Sequence, residues 1–235
     1  MLPKTNFKHA VGWMKPTFLA AGLLVIGIGP VRADVLTGDI AVYNGSTLMG
    51  YVSDTYDSYQ LFTFTTNVAN ALSVTIDTGS TPFAILENNP PGANDYFGAV
   101  GGEGGYYFSA ADDGYAYLSG AALVAAGSIP SNAGNDFSAS GLPEETTIWS
   151  IDSNNVLTAQ WVNTDSTVAN PTQIFYDPSA DYLGIAGDFS NFTAQYPEGE
   201  YPVSLVFTSS TPEPATGALV GIALVAAGFI RRRRA

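Results

Sequence analysis

Short stretches of alternating apolar and polar residues recur through the middle of the chain. Alternation with a period of two is the pattern of half-buried β-strands. The clearest example is a hairpin in which strands over residues 40–43 and 48–52 flank an Asn-Gly turn at Asn44 and Gly45. Further strands are predicted over residues 59–65, 72–76, 148–151, 156–162, 173–176, 183–186 and 203–208.

Helical periodicity is short wherever it occurs. Residues 188–195 are the main example, and there Asp188 is predicted to cap a helix that carries Phe189 and Phe192. Many short strands separated by turn signals predict an all-β fold over residues 34–210. We expect a single sandwich or barrel-like domain of antiparallel strands, with no helix longer than about three turns.

Two stretches without alternation are predicted as long surface loops. Residues 87–105 and 128–146 are rich in Asn, Gly and Pro, which favour turns. Loops of this length in a compact domain are usually either functional or disordered. A site is therefore expected in these loops rather than on the strands.

Residues 1–33 have the pattern of a secretory signal peptide. Lys4, Lys8 and Lys15 form a basic leader, residues 18–29 an apolar segment, and small residues precede Asp34. An uncleaved membrane anchor is the alternative, but the short apolar segment favours cleavage.

A second apolar segment follows the predicted β domain. Residues 215–230 carry no charge and would form a helix of about 24 Å at about 1.5 Å per residue. Snorkelling arginines and local thinning of the bilayer let such a helix cross a core of about 30 Å. The positive-inside rule then places the membrane-stop residues Arg231, Arg232, Arg233 and Arg234 in the cytoplasm. A core helix is the alternative, and it is disfavoured because the segment has no polar face.

The segment is preceded by Pro212, Glu213 and Pro214, and the whole tail, residues 211–235, resembles the PEP-CTERM sorting tail of Gram-negative bacterial surface proteins. The resemblance implies export, anchoring in the membrane through the tail, and processing by an exosortase-like enzyme that recognises the Pro-Glu-Pro motif. It further implies a final place at the cell surface or in the extracellular matrix. That family is associated with exopolysaccharide-producing bacteria, so polysaccharide is an implied partner.

Charge is distributed unevenly along the chain. Residues 34–211 contain 20 of the 21 acidic residues and no Lys, Arg or His, so this part has a formal net charge of −20 against −13 for the whole chain. Binding to nucleic acid is excluded because no cationic side chain is present to displace counterions from phosphates. Salt bridges within this part are excluded for the same reason.

The missing residue types also exclude most catalytic chemistry in residues 34–211. Without Cys, His or Lys there is no thiolate, imidazole or Schiff-base amine, and no disulfide. Carboxylates, phenols, amides and hydroxyls remain, and these groups suit divalent cations and sugars. The resemblance of the tail favours a non-catalytic exported protein.

Ca²⁺ is the cofactor that the remaining ligand types indicate. Loops that hold Asp and Asn supply the oxygen donors that Ca²⁺ prefers. The candidate metal ligands are Asp112, Asp113, Asp136 and Asp152, and Asp177 with Asp181 offers further oxygen donors. None matches the EF-hand spacing, and the favoured interpretation is that these residues only form turns.

Carbohydrate chemistry is the other possibility that the residues leave open. Glycosidases use two carboxyl groups, for which Glu144 with Glu145 and Glu198 with Glu200 are candidates. Adjacent strand residues point to opposite faces, so Glu144 and Glu145 would not form a pair by themselves, and solvated acids are the favoured interpretation. The tyrosines that would stack on sugars, or pack within a sheet, are Tyr106, Tyr107, Tyr115 and Tyr117.

The sequence as a whole predicts an exported cell-surface or extracellular-matrix protein associated with exopolysaccharide, with no inferred catalytic activity. The alternative is a secreted, carboxylate-dependent carbohydrate-active enzyme or a carbohydrate-binding module.

Overall fold

The computed structural model describes residues 34–138 and 141–209. The strands of this part, in chain order, are β1 (Val35–Asn44), β2 (Thr47–Tyr56), β3 (Phe62–Thr65), β4 (Ser73–Asp77), β5 (Ile85–Glu87), β6 (Tyr96–Gly101), β7 (Tyr115–Ala121), β8 (Glu144–Glu145), β9 (Trp149–Ile151), β10 (Val156–Ala159), β11 (Trp161–Val162), β12 (Val168–Ala169), β13 (Gln173–Asp177), β14 (Tyr182–Ala186), β15 (Tyr201–Pro202) and β16 (Ser204–Ser209). The helical elements are a 3₁₀ turn at Val68–Asn70 and the helix α1 at Phe189–Gln195.

The predicted all-β class is confirmed. Strands β1 and β2 form the expected hairpin, and Gly45 takes the positive φ of +58° that its tight turn requires. Asp188 caps α1 as predicted, because its carboxylate accepts hydrogen bonds from the backbone N–H groups of Ser190 and Asn191. With seven residues, α1 spans about two turns, so no helix of the described residues exceeds three.

One large antiparallel sheet contains most of the strands. Its main path runs β15-β13-β14-β7-β6-β5-β4-β1-β16-β10-β9, with β2, β3 and β8 paired alongside and β11-β12 as a separate ribbon. The sheet curls back on itself. Phe83, just before β5, exchanges two backbone hydrogen bonds of 2.8 and 3.1 Å with Trp149 of β9, near the far end of the path.

The main hydrophobic core lies inside this curl. Trp149 is fully buried there, and its indole N–H donates to the carbonyl of Phe97 at 2.8 Å. The Phe97 ring lies between Trp149 and Phe62, with ring centroids 5.1 and 4.8 Å away. A buried indole therefore keeps its hydrogen bond while it fills the core.

The prediction that residues 87–105 form one surface loop is wrong for residues 96–101. These residues form β6, a strand inside the sheet in which Phe97 to Gly101 are buried. Its neighbour β7 is buried along its whole length. Strands covered on both faces lack the apolar and polar alternation that marks half-buried strands, so the sequence pattern does not reveal them.

The interpretation of Glu144 and Glu145 as solvated acids is also wrong. They form the short strand β8, which pairs with β6, and both are buried. Glu144 accepts hydrogen bonds from the Gly134 N–H at 2.7 Å and from the Asn135 amide at 2.9 Å. Glu145 instead accepts from the Val162 N–H at 3.1 Å. The two side chains thus have separate partners, as expected of neighbours on a strand.

Several predicted segments lie outside the described residues. These are the signal peptide 1–33, the motif Pro212 to Pro214, the membrane helix 215–230 and the membrane-stop arginines 231–234. Among residues 34–138 and 141–209, the structure contains no helix with the length and hydrophobicity needed to cross a membrane.

Two buried carboxyl groups have strongly raised pKa values. Burial, followed by the negative charges of Asp136 and Asp95, raises the pKa of Glu87 to about 8. Both carboxyl oxygens of Glu87 are buried without a hydrogen-bond partner. Burial also raises the pKa of Glu145 to about 8, although the Val162 N–H opposes the shift. Both side chains are therefore largely neutral at neutral pH.

We expect the free energy of unfolding to fall as the pH rises from about 5 to 8. The unfolded chain ionises these carboxyls near pH 4.5, whereas the folded chain keeps their protons up to about pH 8. Each group then contributes a loss of about 1.4 kcal/mol per pH unit across that window. Denaturant unfolding at a series of pH values measures the slope.

Glu87→Gln should make this slope shallower, because the amide keeps the neutral shape of the protonated acid. Glu103→Gln makes the same replacement at an exposed position and serves as the control. An unchanged slope in Glu87→Gln would show that Glu87 is ionised in the folded protein.

Candidate functional site

The strands β13, β14, β7 and β6 carry buried side chains on both faces. One face points into the main core, and the candidate site lies on the other, which we call the outer face. Along β7, Ala116 and Leu118 point into the main core, while Tyr115 and Tyr117 point outward. The outward side chains belong to a second hydrophobic cluster: Leu61, Val100, Tyr115, Tyr117, Phe137, Phe175, Tyr182, Ala186 and Phe192. Successive side chains of β7 therefore alternate between the two faces of the sheet, and both of these faces are buried.

The strand register places the side chains of this face in rows. Asp177 of β13 lies opposite Tyr182 of β14. In the next row, Gly184 lies between Phe175 and Tyr117. A Cβ atom on Gly184 would lie 2.5 Å from the Phe175 ring, so the missing side chain lets that ring lie across β14.

Helix α1 closes one side of the outer face. The buried Phe192 ring lies 4.5 Å from the Phe175 ring and 5.1 Å from the Tyr115 ring, measured between centroids. The helix ends before Tyr196, whose ring centroid lies 5.3 Å from that of Tyr115. A helix of seven residues is thus held by aromatic packing rather than by its own length.

The glycine-rich segment after β6 packs against the same tyrosines. A Cβ atom on Gly102 would lie 2.6 Å from the Tyr115 ring, and one on Gly104 would lie 1.9 Å from the Tyr196 hydroxyl. The backbone approaches these rings so closely because the segment has no side chains there.

Between these elements is a groove that we call the tyrosine cleft. It consists of two adjoining cavities of about 210 and 230 Å³ that share Tyr117, Ala180 and Tyr182. The first cavity is further lined by Tyr59, Leu61, Glu103 and Phe137. The second is further lined by Tyr115, Asp177, Phe192, Tyr196, Glu198 and Glu200.

Phenolic hydroxyls supply much of the polarity of the cleft. The hydroxyls of Tyr115 and Tyr117 lie 3.0 Å apart and share a hydrogen bond. Tyr182 is 8% exposed, and its hydroxyl has no hydrogen-bond partner among the described residues. Burial, followed by the charge of Asp177, raises the pKa of Tyr182 far above the ordinary tyrosine value. Its hydroxyl therefore stays protonated and can donate a hydrogen bond to a ligand.

More exposed tyrosines stand at the two ends of the cleft. Tyr59, in the first cavity, is 57% exposed, and its loop is held by Asp57, which accepts from the N–H groups of Tyr59 and Leu61 at 2.8 Å. Tyr196, in the second cavity, is half-buried at the end of α1. The backbone of Tyr59 and the packed ring of Tyr196 are held in position, and both rings still offer surface to a ligand.

Three acidic side chains meet in the second cavity. Carboxylate oxygens of Asp177, Glu198 and Glu200 all lie within 4.8 Å of one another. Asp177 is buried, whereas Glu198 is exposed and Glu200 half-buried. The Asp177 carboxylate accepts hydrogen bonds from the N–H groups of Ser179 and Ala180 at 2.7 and 3.2 Å. We call these three residues the acidic triad.

Four of the predicted metal ligands, Asp112, Asp113, Asp136 and Asp152, lie outside the acidic triad, whereas Asp177, offered by the sequence as a further oxygen donor, belongs to it. Asp112 accepts a hydrogen bond from the Ser109 hydroxyl, and Asp113 follows it, half-buried. Asp152 accepts from the N–H groups of Asn154 and Val156 and thereby closes a turn. Metal binding by any of these residues stays a prediction.

Asp136, the fourth predicted ligand, is buried and joins three segments. It accepts from the Tyr56 hydroxyl at 2.9 Å, the Ala93 N–H at 3.1 Å and the Asn94 side-chain amide at 2.8 Å. Both of its oxygens have donors, which is the arrangement of a structural carboxylate.

The four predicted sugar-stacking tyrosines divide into two pairs. Tyr115 and Tyr117 line the cleft. Tyr106 packs edge-on against Trp161 instead, and the Tyr107 hydroxyl donates to Asp165 at 2.7 Å.

Sequence reasoning missed Tyr59, Tyr182 and Tyr196 as cleft residues. A signal for Tyr182 was available, because the turn residues 178–181 predict a hairpin whose register places residue 182 opposite Asp177. For Tyr59 and Tyr196 no local pattern would have placed them at the ends of the cleft.

The described residues define an acidic all-β domain with a tyrosine-lined cleft on a sheet face. Residues 210–234, which follow this domain, match the model of the PEP-CTERM protein-sorting motif. The match confirms the resemblance seen in the tail, and the motif marks the protein for export and sorting to the cell surface by an exosortase-like system. Comparisons with curated proteins and with solved structures found no match.

Proposed function

We propose that the protein is a non-catalytic surface or matrix component whose tyrosine cleft binds polysaccharide. The observation that carries the proposal is the cleft itself, a groove on a rigid sheet with accessible tyrosine rings, Tyr59 and Tyr196, at its two ends. Tyrosine suits sugars because its ring packs against apolar C–H groups while its hydroxyl bonds to sugar oxygens.

The shape of the cleft supports a chain-like ligand. Each cavity is smaller than the roughly 300–1,000 Å³ of a typical small-molecule pocket. The two cavities share Tyr117, Ala180 and Tyr182, so they adjoin, and Tyr59 lines one while Tyr196 lines the other. Two small adjoining cavities suit successive units of a polymer better than one compact molecule.

The positions of the two carboxyl groups with raised pKa values favour binding of polysaccharide over its hydrolysis. A glycosidase needs a protonated carboxyl beside its substrate. Glu87 and Glu145, whose pKa values are raised to about 8, do not line either cavity.

A carboxylate-dependent glycosidase is the second candidate function, and one observation favours it. The oxygens of Glu198 and Glu200 lie within 4.8 Å, close to the separation of about 5 Å between the two carboxyls of retaining glycosidases. Release of shorter sugars from a polysaccharide incubated with the protein would support this candidate over simple binding.

The route to the surface follows from the tail. The signal peptide 1–33 directs export, the helix 215–230 anchors the protein, and Arg231 to Arg234 hold the end of the tail on the cytoplasmic side. The Pro-Glu-Pro of residues 212–214 is the recognition element of the processing enzyme. Its prolines keep the chain extended, which presents the backbone to a protease. The match of residues 210–234 to the sorting motif supports this assignment.

Processing predicts that the protein recovered from the cell surface lacks Arg231 to Arg234. Intact-mass spectrometry of the surface fraction measures this directly. A variant with Ala at positions 212, 213 and 214 should retain the tail and stay in the membrane fraction, while Glu200→Gln should be processed normally. Arginine-containing protein at the wild-type surface would contradict the proposal.

Polysaccharide binding predicts that Tyr59→Ala and Tyr196→Ala each weaken affinity about tenfold. A ring face that buries about 55 Å² contributes about 1.4 kcal/mol, which is a factor of ten in Kd. Affinity electrophoresis through gels that contain exopolysaccharide from the producing cells measures the change.

Tyr107→Ala is the matched control. Tyr107 is 40% exposed and lines neither cavity of the cleft, so its removal should leave affinity unchanged. Equal losses in all three variants, or no retardation of the unmodified protein, would contradict binding at the cleft.

A further inference from the structure

The acidic triad brings three carboxylates together without a cationic side chain. Asp177, Glu198 and Glu200 have oxygens within 4.8 Å of one another. Residues 34–211 contain no Lys, Arg or His that could neutralise them. Like charges at this distance repel, and the burial of Asp177 strengthens the repulsion because water screens it less. A bound cation would remove this cost.

Hydrogen bonds to the triad are unevenly distributed. Asp177 accepts from two backbone N–H groups and Glu200 from the Glu198 N–H at 3.1 Å, whereas the Glu198 carboxylate has only the Ser179 hydroxyl among the described residues. The Ser179 hydroxyl lies 2.8 Å from an oxygen of Asp177 and 3.0 Å from an oxygen of Glu198. It carries one proton and can donate to only one of them at a time. One of these two carboxylates therefore faces the hydroxyl without a proton between them.

Tyr182 is a second observation, independent of the charges. It lies opposite Asp177 across the β13-β14 hairpin and lines the same cavity as the triad. It is 8% exposed, and its hydroxyl has no hydrogen-bond partner among the described residues. The hydroxyl is not among the buried polar atoms without a partner, so it is accessible from the cavity and can donate to a ligand bound there.

We propose that Asp177, Glu198 and Glu200 bind a Ca²⁺ ion at one end of the tyrosine cleft, and that Tyr182 donates a hydrogen bond to an oxygen bound to that ion. Ca²⁺ takes oxygen ligands at about 2.3–2.6 Å. Two ligands on opposite sides of one ion are then about 5 Å apart, so oxygens within 4.8 Å of one another fit around it.

The ligand type and the local backbone select Ca²⁺ among metals. All three ligands are carboxylates, and the absence of His and Cys from residues 34–211 disfavours zinc and copper. Glu198 and Glu200 flank Gly199, which has a φ of +95° and forms a bend. Carboxylates on an exposed bend adapt to the flexible geometry of Ca²⁺, whereas Mg²⁺ demands a near-ideal octahedron.

A Ca²⁺ ion at this site would favour sugars that can supply oxygen ligands to it. Three carboxylates fill only part of the six to eight positions of Ca²⁺, so positions remain open toward the cleft. Vicinal hydroxyls of a sugar are paired oxygen donors that fit such positions. This role in sugar capture rests on the proposed polysaccharide function, whereas the ion site itself does not.

Terbium luminescence tests the ion site. Tb³⁺ is a hard, oxygen-seeking ion that replaces Ca²⁺, and nearby tyrosines excite its emission; Tyr115, Tyr182 and Tyr196 line the same cavity. The full-length protein in detergent is titrated with Tb³⁺ under tyrosine excitation, and the bound Tb³⁺ is then displaced with CaCl₂. We expect saturable emission that Ca²⁺ reverses and MgCl₂ at equal concentration does not.

The double variant Glu198→Gln with Glu200→Gln should weaken Tb³⁺ binding at least tenfold. These side chains are exposed and half-buried, so the fold should be retained, which the melting temperature checks. Asp34→Asn with Asp54→Asn also removes two charges, at positions that line neither cavity of the cleft, and should bind Tb³⁺ like the unmodified protein. Equal binding by both double variants, or loss only in the Asp34 and Asp54 variant, would overturn the site.

Two further measurements test the ion site and polysaccharide binding independently of each other. Wild-type melting temperature should rise with CaCl₂ and level off, beyond any change caused by NaCl at equal ionic strength. Polysaccharide affinity should fall at least tenfold in EDTA and recover with CaCl₂. Affinity that is equal in EDTA and CaCl₂ would overturn the role of the ion and leave the proposed function standing. Saturable Tb³⁺ binding without polysaccharide affinity would overturn the proposed function and leave the ion site standing.

Discussion

The fold has to accommodate 20 carboxylates over residues 34–211 without a single cationic side chain. It does so largely with backbone N–H groups. Asp57, Asp152 and Asp188 each accept from two N–H groups at a turn or a helix start, where such donors are otherwise unpaired. Glu87 has no such donor, and its burial, followed by the charges of Asp136 and Asp95, raises its pKa to about 8. In the acidic triad the donors are too few for three charges, and we propose that an ion supplies what they lack.

The cleft exists because strands β7 and β14 pack against other residues on both faces of the sheet. Strands β7 and β14 turn alternate residues into the main core and into a second, aromatic cluster. Helix α1 and the glycine segment around Gly102 and Gly104 cover part of that cluster. The part left uncovered is the tyrosine cleft. Four of its lining residues, Tyr115, Tyr117, Asp177 and Tyr182, are buried residues of the sheet, so a ligand would meet groups already held in place there, which reduces the ordering cost of binding.

The sequence predicted the strands whose residues alternate or form a short apolar run between turn signals. It predicted the hairpin of β1 and β2, the late strands β13, β14 and β16, and the cap of α1 at Asp188. It failed for β6 and for Glu144 and Glu145, where both faces are buried and acids face inward. The acidic triad depends on the pairing of β13 with β14 and on the bend at Gly199. Those are tertiary relations that no local spacing reveals.

The central claim is that polysaccharide binds in the tyrosine cleft, and NMR of ring-labelled tyrosines tests it most directly. The protein would be titrated with exopolysaccharide from the producing cells in the presence of CaCl₂. The account predicts that the ring signals of Tyr59, Tyr182 and Tyr196 shift with one saturable curve, while those of Tyr43 and Tyr107 stay in place. Shifts at Tyr107 without shifts at Tyr182, or no shifts at all, would contradict it.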